Sequence, residues 1–450
     1  MARLFGTDGI RGLANGEVLT PELALAVARS AAVQLLDSWT GPGRPTAVIG
    51  RDTRPSGGLL EAAAAAGFAS AGVDVVLLGV VPTPTVAHAC ASRAADVGLV
   101  ISASHNPMPD NGLKLFDGEG HKLSDAVEDA IAAGVPGVPV RAQGIDVGQV
   151  RAGGESLVED YAQHLLASVS GPLTGLTVVV DCAEGAASAL APSVYRRAGA
   201  TVVALHADGD GARINAACGA THPESLQAAV VAHGADLGLA HDGDADRCVA
   251  VDASGRVVDG DQILAVCALA LRDRDGLGSG AVVATVMSNV GFHQAMAAAG
   301  IGVVTTAVGD RYVLEAMRAG GHSLGGEQSG HLVFGDLATT GDGLLTGLAL
   351  MDRMVTTGAP LAELAGAVVL LPQVLVNVRA EGARAGAADV VAAVTAAEAH
   401  LAGRGRVLLR ASGTEPVVRV MVEAPTQEEA QEVAGRLASV VGQVREEPLA

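Results

Sequence analysis

Aromatic side chains are scarce in this 450-residue chain: Phe, Trp and Tyr together make up 2% of it, although 49% of the residues are hydrophobic. Its cores must therefore be assembled from Ala, Val and Leu. Lysine is scarcer still, since Lys114 and Lys122 are the only lysines among 29 basic residues. Where charge alone would serve, the chain uses arginine, so lysine at 114 points to a use for a compact ammonium or a titratable amine. Positive charge is in deficit overall. A net charge of -20 argues against nucleic acid as a partner and would repel small anions too, so any phosphate-binding cleft must gather its cations locally.

Other absences narrow the class. The five cysteines (90, 182, 218, 248 and 267) are odd in number and form no Cys-x-x-Cys pair, which reads as buried small side chains rather than a redox or zinc framework. No apolar run approaches the roughly 18 residues of a membrane span. Met1 to Gly12 carries Arg3, Asp8 and Arg11 without an apolar stretch, so no signal peptide is expected and the cytoplasm is the expected location. The length leaves room for about three domains.

What is present is organised by repetition. An apolar strand, a helix, an Ala-Gly-x-x-Val-Val type segment and a further strand ending in a polar loop occur three times. The first copy runs through Ala47–Gly50 and Ala71–Val76 to Ala95–Val100 and the loop at Ser104. The second runs through Thr177–Val180 and Ala198–Val203 to Ala235–Leu239 and an aspartate loop, and the third through Val282–Val286 and Ala299–Val304 to the loop 325–331. Continuous apolar strands separated by Ala-rich helical stretches predict α/β units with mixed, mostly parallel sheets. In such sheets ligands bind beyond the carboxyl ends of the strands, where all three loops fall. After about residue 370 the pattern changes to strand 373–378, helix 387–401, two strands around Gly413, and a helix opened by Thr426 with Glu429 in a capping box. The expected architecture is three similar α/β domains (1–155, 156–258 and 259–369) and a smaller α+β C-terminal domain (370–450) around a central cleft.

The aspartate loop carries the strongest chemical signal. Asp242, Asp244 and Asp246 alternate directly after an apolar strand, and carboxylates so close repel one another unless a hard cation sits among them. An EF-hand loop would need glycine and glutamate where Arg247 and Ala253 stand, so a calcium loop of that kind is excluded. A solvated turn is the competing reading. Three protein ligands leave open positions, which suits Mg²⁺ and phosphate oxygens. Ser104, in Ser102–Pro107, is by itself an ordinary loop hydroxyl. With a metal site on the matching loop and Lys114 ten residues on, it suits a phosphorylated serine whose oxygen completes the cation's shell. Arg410 to Pro416, with Arg419, offers hydroxyls, a glycine and two guanidinium groups for an unreacting phosphate, and a plain Ser-Gly turn accounts for that segment equally well.

Five segments together resemble the α-D-phosphohexomutase superfamily: RLFGTDGIRG (3–12), ASHNP (103–107), DGDADR (242–247), GGEQSGH (325–331) and RASGTEPVVRVMVE (410–423). Their order spans nearly the whole chain. The opening segment and Gln328 are similar to the amino-sugar branch, whereas the phosphomannomutase/phosphoglucomutase branch, the alternative, usually has methionine at 328. The resemblance implies interconversion of glucosamine 6-phosphate and glucosamine 1-phosphate, feeding UDP-N-acetylglucosamine and cell-wall precursor synthesis. It implies a phosphorylated Ser104, one Mg²⁺ per chain held by Ser104, Asp242, Asp244 and Asp246, and a sugar 1,6-bisphosphate as primer and intermediate. By the same resemblance Arg247 steadies the phosphoryl group, Lys114 and His331 are proton-transfer candidates, and Glu327 and Ser329 contact sugar hydroxyls. Arg410, Ser412, Gly413, Thr414 and Arg419 would hold the phosphate not being transferred, with Arg11 and His105 completing the cleft. The partners implied are small sugar phosphates, with no nucleic acid and no membrane, and the sequence leaves the oligomeric state open, a homo-oligomer included.

Overall fold

The computed structural model describes the chain except at residues 1, 2, 7, 37, 38, 42, 138–141, 381, 412–416 and 443–450. The first sheet contains β1 (Ile10–Leu13), β2 (Thr46–Arg51), β3 (Asp74–Val80), β4 (Val97–Ile101), β5 (Asp110–Phe116) and β6 (Val150–Ala152), in the order β1-β5-β4-β2-β3-β6. The second contains β7 (Thr177–Asp181), β8 (Thr201–Leu205), β9 (Leu237–His241), β10 (Cys248–Asp252) and β11 (Val257–Val258), in the order β11-β10-β9-β7-β8. The third contains β12 (Ala281–Thr285), β13 (Gly302–Thr306), β14 (Leu324–Gly326) and β15 (Leu332–Phe334), in the order β13-β12-β14-β15.

One arrangement recurs in all three. A first strand (β2, β7 or β12) lies parallel to the next (β3, β8 or β13) on one side and to a third (β4, β9 or β14) on the other. That third strand then turns back into an antiparallel partner, β5, β10 or β15. The three polar loops are these hairpin turns, so each occupies the same topological position. The repeat read from composition and spacing is thus a repeat of connectivity. Every residue of β4 and of β9 is buried, which explains their unbroken apolar runs: strands covered on both faces have no solvent side to alternate with.

Small side chains set the packing distance. Helices Pro21–Leu36 and Gly57–Ser70 approach so closely that a Cβ on Gly67 would lie 2.4 Å from the Leu25 carbonyl and 2.9 Å from the Ala28 methyl. Alanine buries little area per residue, and close helix contact recovers dispersion energy that larger side chains would supply. The five cysteines are unpaired and buried, as their composition suggested. Among the described residues no helix is long and apolar enough to cross a membrane.

The chain divides into two compact units, one of residues 1–287 and 299–367, the other of 288–298 and 368–450. The second contains an antiparallel sheet of β16 (Gln373–Arg379), β17 (Arg406–Ala411) and β18 (Val417–Glu423) in the order β16-β18-β17, with helices Ala388–Leu401 and Gln427–Gly442 contributing to its core. Helix Val290–Ala298 belongs to it because buried Glu423 accepts a hydrogen bond from the Val290 amide at 2.8 Å, and Asn289 bonds both ways with the Leu371 backbone. Thr426 caps the last helix, accepting from the Glu429 amide at 3.2 Å. The reciprocal half of the capping box gives way to an ion pair, as the Glu429 carboxylate lies 3.2 Å from Arg404.

Candidate active site

The hairpin between β4 and β5 holds Ser104 in a left-handed conformation (φ 52°), buried to 1% exposure. A serine rarely adopts that backbone unless its surroundings compel it. Here the compulsion is visible. The wholly buried Arg54 donates to the carbonyls of Ser104 (3.0 Å), Asn106 (2.7 Å) and Asp110 (2.9 Å), and Asn215 adds a bond to the Ser104 carbonyl at 2.9 Å. Asp52 neutralises Arg54 at 2.9 Å and accepts the Ser102 hydroxyl at 2.6 Å, while the Ser102 oxygen accepts the Ser104 amide. The loop is therefore rigid, and its hydroxyl is aimed.

The aim is at the second hairpin. Ser104 Oγ donates to Asp242 Oδ2 at 2.6 Å, and it lies 3.3 Å from His105 Nδ1. Asp242, Asp244 and Asp246 are all at most 2% exposed, which rules out the solvated turn, and one oxygen of each lies within 4.8 Å of the others. Glycine at 243 permits this meeting, because a Cβ there would stand 2.5 Å from the Ser104 carbonyl oxygen. Helix Gly343–Thr357 steadies the loop from behind, its first amide donating to the Ala245 carbonyl at 3.0 Å.

Charge in this pocket is heavily arranged. Lys114 Nζ lies 2.8 Å from Asp244, 3.2 Å from Asp246 and 2.9 Å from Asp8. Burial works to lower the Lys114 pKa, but Asp244, Asp8 and Asp246 outweigh it and raise the pKa well above the ordinary lysine value. The Asp242 pKa also rises, which for a carboxylate disfavours the charged form: burial, with Asp246 and Asp244 adding repulsion, pushes it well up. Even with Lys114 present, Asp244 Oδ1 and Asp246 Oδ1 are buried without a hydrogen-bond partner. Two unpartnered carboxylate oxygens beside a third acid and a serine hydroxyl form a set of hard oxygen donors, which fits Mg²⁺.

A cavity of about 460 Å³ opens next to this cluster, lined in part by Arg11, His105, Asp246, Arg247, Glu327 and His331. Arg247 Nε stands 4.0 Å from Asp242 and 3.9 Å from Asp246, a guanidinium held near the acids without saturating them. Burial, then Arg247 and Arg11, lower the His105 pKa to about 4, so this imidazole is neutral at ordinary pH. Glu327 accepts the Gly309 amide at 3.0 Å, and its loop is pressed against helix Gly260–Arg272, where a Cβ on Gly260 would meet the Glu327 carbonyl at 2.2 Å. Neither ring nitrogen of His331 has a hydrogen-bond partner, and its Nε2 lies 3.8 Å from Asp310 and 4.0 Å from Asp246.

The structure thus gathers Ser104, His105, Lys114, the three aspartates, Arg247, Glu327, His331 and Arg11 in one unit. Ser329 sits on the same loop as Glu327 but is exposed and does not line the cavity. In the second unit, Arg410 and Arg419 are directly opposed across β17 and β18. Like charges in that relation repel, and an anion between them would relieve the repulsion. Ser412, Gly413 and Thr414 lie outside the described residues.

Four participants escaped the sequence reading. Asp8 bridges Lys114, Arg11 and Lys122, and Lys122 in turn pairs with Asp310. Asp8 stood inside a recognised segment, yet nothing local marks it as the partner of a lysine 114 residues away. Arg54 had a weak signal: the apolar strand β2 ends in Arg51 and is followed directly by Asp52-Thr53-Arg54.

Comparison with known proteins agrees with this geometry. Models of the phosphoglucomutase/phosphomannomutase domains match in chain order: α/β/α domain I at 2–137, domain II at 159–255, domain III at 259–370 and the C-terminal domain at 375–440. A phosphoglucosamine mutase of Parafrankia sp. (strain EAN1pec) is 61% identical, over 98% of this chain and 99% of its own. One of Rhodococcus jostii (strain RHA1) is 60% identical, over 99% of this chain and 100% of its own. Among solved structures, a phosphoglucomutase/phosphomannomutase family protein from Burkholderia thailandensis superposes with a TM-score of 0.80 at 24% identity, covering 98% of this chain and 97% of that one.

Proposed function

This chain belongs to the phosphoglucomutase/phosphomannomutase family, and from that premise we propose that it interconverts glucosamine 6-phosphate and glucosamine 1-phosphate by way of a phosphorylated Ser104. The observation that carries the reading is the 2.6 Å contact between Ser104 Oγ and Asp242 inside a buried cluster of three acids. Phosphoserine 104 gives its phosphoryl group to the free sugar hydroxyl, forming a 1,6-bisphosphate and releasing the Ser104 oxygen. After the sugar turns over, Ser104 Oγ takes the other phosphoryl group and the product leaves. The two transfers are mirror images, so the chain needs one phosphoryl-transfer site and one site that holds the idle phosphate.

Ser104, Asp242, Asp244 and Asp246 would hold Mg²⁺, which would neutralise charge on the transferring group. The remaining work falls to side chains. Arg247 steadies the phosphoryl oxygens, Arg11 and His105 line the approach, and Glu327 with Ser329 orients the sugar hydroxyls. His331 is the proton acceptor for the sugar hydroxyl, because both its nitrogens are unclaimed by the protein. Lys114 acts as electrostatic support, since three carboxylates hold its ammonium in the charged form. Arg410, Ser412, Gly413, Thr414 and Arg419 bind the idle phosphate. For this scheme the proposed domains are 1–155, 156–258, 259–369 and 370–450, with helix Val290–Ala298, inside the third span, packed with the last.

A side-by-side assay of glucosamine 1-phosphate, glucose 1-phosphate and mannose 1-phosphate, with Mg²⁺ and trace bisphosphate, tests the substrate. The amino sugar is expected to lead in kcat/KM. A tenfold lead for either neutral sugar, about 1.4 kcal/mol in transition-state stabilisation, would reverse the assignment.

A further inference from the structure

At the carboxyl end of β7, behind the aspartate loop, a second group of metal-ligating side chains converges: Asp181, His206 and Cys218 each place one donor atom within 4.8 Å of the other two. We propose that these three residues form a structural site for a borderline divalent cation of the Zn²⁺ class, separate from the Mg²⁺ position. Carboxylate, imidazole and thiolate make up a donor set that Zn²⁺ accepts and Mg²⁺ does not, because a soft sulfur ligand suits the first and not the second.

The geometry is close to assembled. Ligands at about 2.0–2.3 Å around a tetrahedral ion stand roughly 3.3–3.8 Å from one another. Asp181 Oδ1 and His206 Nδ1 are 3.1 Å apart, yet that nitrogen is buried and makes no hydrogen bond. Cys218 Sγ makes a long contact, 3.9 Å, with the Arg213 carbonyl and a further one with the Asn215 backbone, and it already lies within 4.8 Å of the other two donors. Asp181 is already oriented: its two oxygens accept the amides of Ala183 (2.9 Å) and Gly219 (3.0 Å), and each keeps a second lone pair. The His206 side chain is 30% exposed, which leaves an entry path for the ion and room for a water as fourth ligand.

The backbone around the site is unusual. Ala183, Glu184, His206, Asn215 and Ala217 all adopt left-handed conformations with φ between 46° and 59°. Such strain in residues with a side chain persists where the surroundings fix it, as it does at Ser104 and Ala245 in the two catalytic hairpins. A cation would be one more fixed point. When it binds, an Sγ–metal bond forms and the thiol proton passes to solvent, with no change of oxidation state. The location gives the ion a purpose: Asn215 holds the Ser104 carbonyl, Ala186 N donates to Gly243 O at 2.8 Å, and Ala220 N donates to His241 O at 2.9 Å. The segments joined by the ion therefore form the wall behind both catalytic loops.

Full-length protein stripped with a chelator, returned to excess Mg²⁺ and titrated with Co²⁺ tests the site. The expected result is one Co²⁺ per chain with thiolate-to-cobalt charge-transfer absorption, displaced by Zn²⁺. Cys218→Ser should abolish the band, His206→Gln should weaken Co²⁺ binding at least tenfold, and Cys182→Ser, at the neighbouring thiol, should leave the band intact. Far-ultraviolet circular dichroism reports whether each variant folds, and if Cys218→Ser does not, the partly exposed His206→Gln decides. Absence of the band in the unsubstituted protein, its survival in folded Cys218→Ser, or unchanged affinity in His206→Gln would overturn the proposal.

Discussion

Ser104 and Asp242, 138 residues apart in the chain, are joined by a hydrogen bond of 2.6 Å between two buried side chains. Two hairpins in the same topological position of two sheets meet at that bond. The bracing crosses between them: Ser104 is held by Arg54 and by Asn215, from the segment between β8 and β9, and the aspartates by Lys114 on β5 and by the helix that begins at Gly343.

Lys114 is the counter-charge that lets the acidic cluster exist when no divalent ion is bound. Lys114→Met should therefore destabilise the protein by about 3–5 kcal/mol in the presence of a chelator, the range for removing one partner of a buried ion pair. Saturating Mg²⁺ should recover part of that loss, since an ion that binds only the folded state stabilises it. Denaturant unfolding with and without Mg²⁺ measures the difference. Equal destabilisation under both conditions would separate Lys114 from the metal loop.

Gly341 forms the seat of the His331 ring. A Cβ at 341 would lie 2.3–2.6 Å from three atoms of that imidazole, which is itself 2% exposed. Gly341→Ala should displace the ring and lower kcat by about 10²-fold, the scale of a misplaced reacting group. KM should change little. Full activity in the folded variant would remove His331 from proton transfer.

Asp342 predicts a pH effect on stability. It caps helix Gly343–Thr357 by accepting the Leu345 amide at 2.9 Å and also accepts the Tyr161 hydroxyl, and burial raises its pKa to about 6. With the folded value above the unfolded one, the folded state binds the extra proton. This contribution is fully present below about pH 4 and is lost as pH rises through about 6. The shift is worth on the order of 3 kcal/mol at most. Asparagine keeps the cap without the charge, so the stability of Asp342→Asn relative to the parent should rise between about pH 4.5 and 7. Buried His241, whose pKa is lowered to about 4, acts in the opposite sense in both proteins and cancels in the difference. A difference that stays flat across this range would contradict the prediction.

Arg419 separates binding from stability. Its opposition to Arg410 across the sheet is a like-charge pair that costs roughly 0.2–1 kcal/mol. Arg419→Ala should leave stability unchanged or slightly improved while raising KM for the sugar phosphate about tenfold or more. Lost stability with unchanged KM would mark the pair as structural.

Much of this was legible in the sequence, for identifiable reasons. The triple repeat showed because β4 and β9 are buried on both faces and so read as continuous apolar runs. The aspartate loop showed because three acids in five residues have few uses other than a cation. The Asp8–Lys122–Asp310 chain did not show, since its members come from three separate elements and each alone resembles a solvated charge. Helix Val290–Ala298 reads as part of the third repeat, and only the Glu423 and Leu371 contacts reveal that it packs with the C-terminal sheet. Cys218 reads as a small buried residue because its partners, Asp181 and His206, lie outside any motif spacing.

The most direct measurement of the central claim is to expose the protein with Mg²⁺ to glucosamine 1,6-bisphosphate carrying labelled phosphate and to map the label. The label should sit on Ser104, should transfer to added glucosamine 6-phosphate, and should vanish in Ser104→Ala together with isomerisation. Label on another residue, or a Ser104→Ala protein that isomerises at the parental rate, would contradict the account.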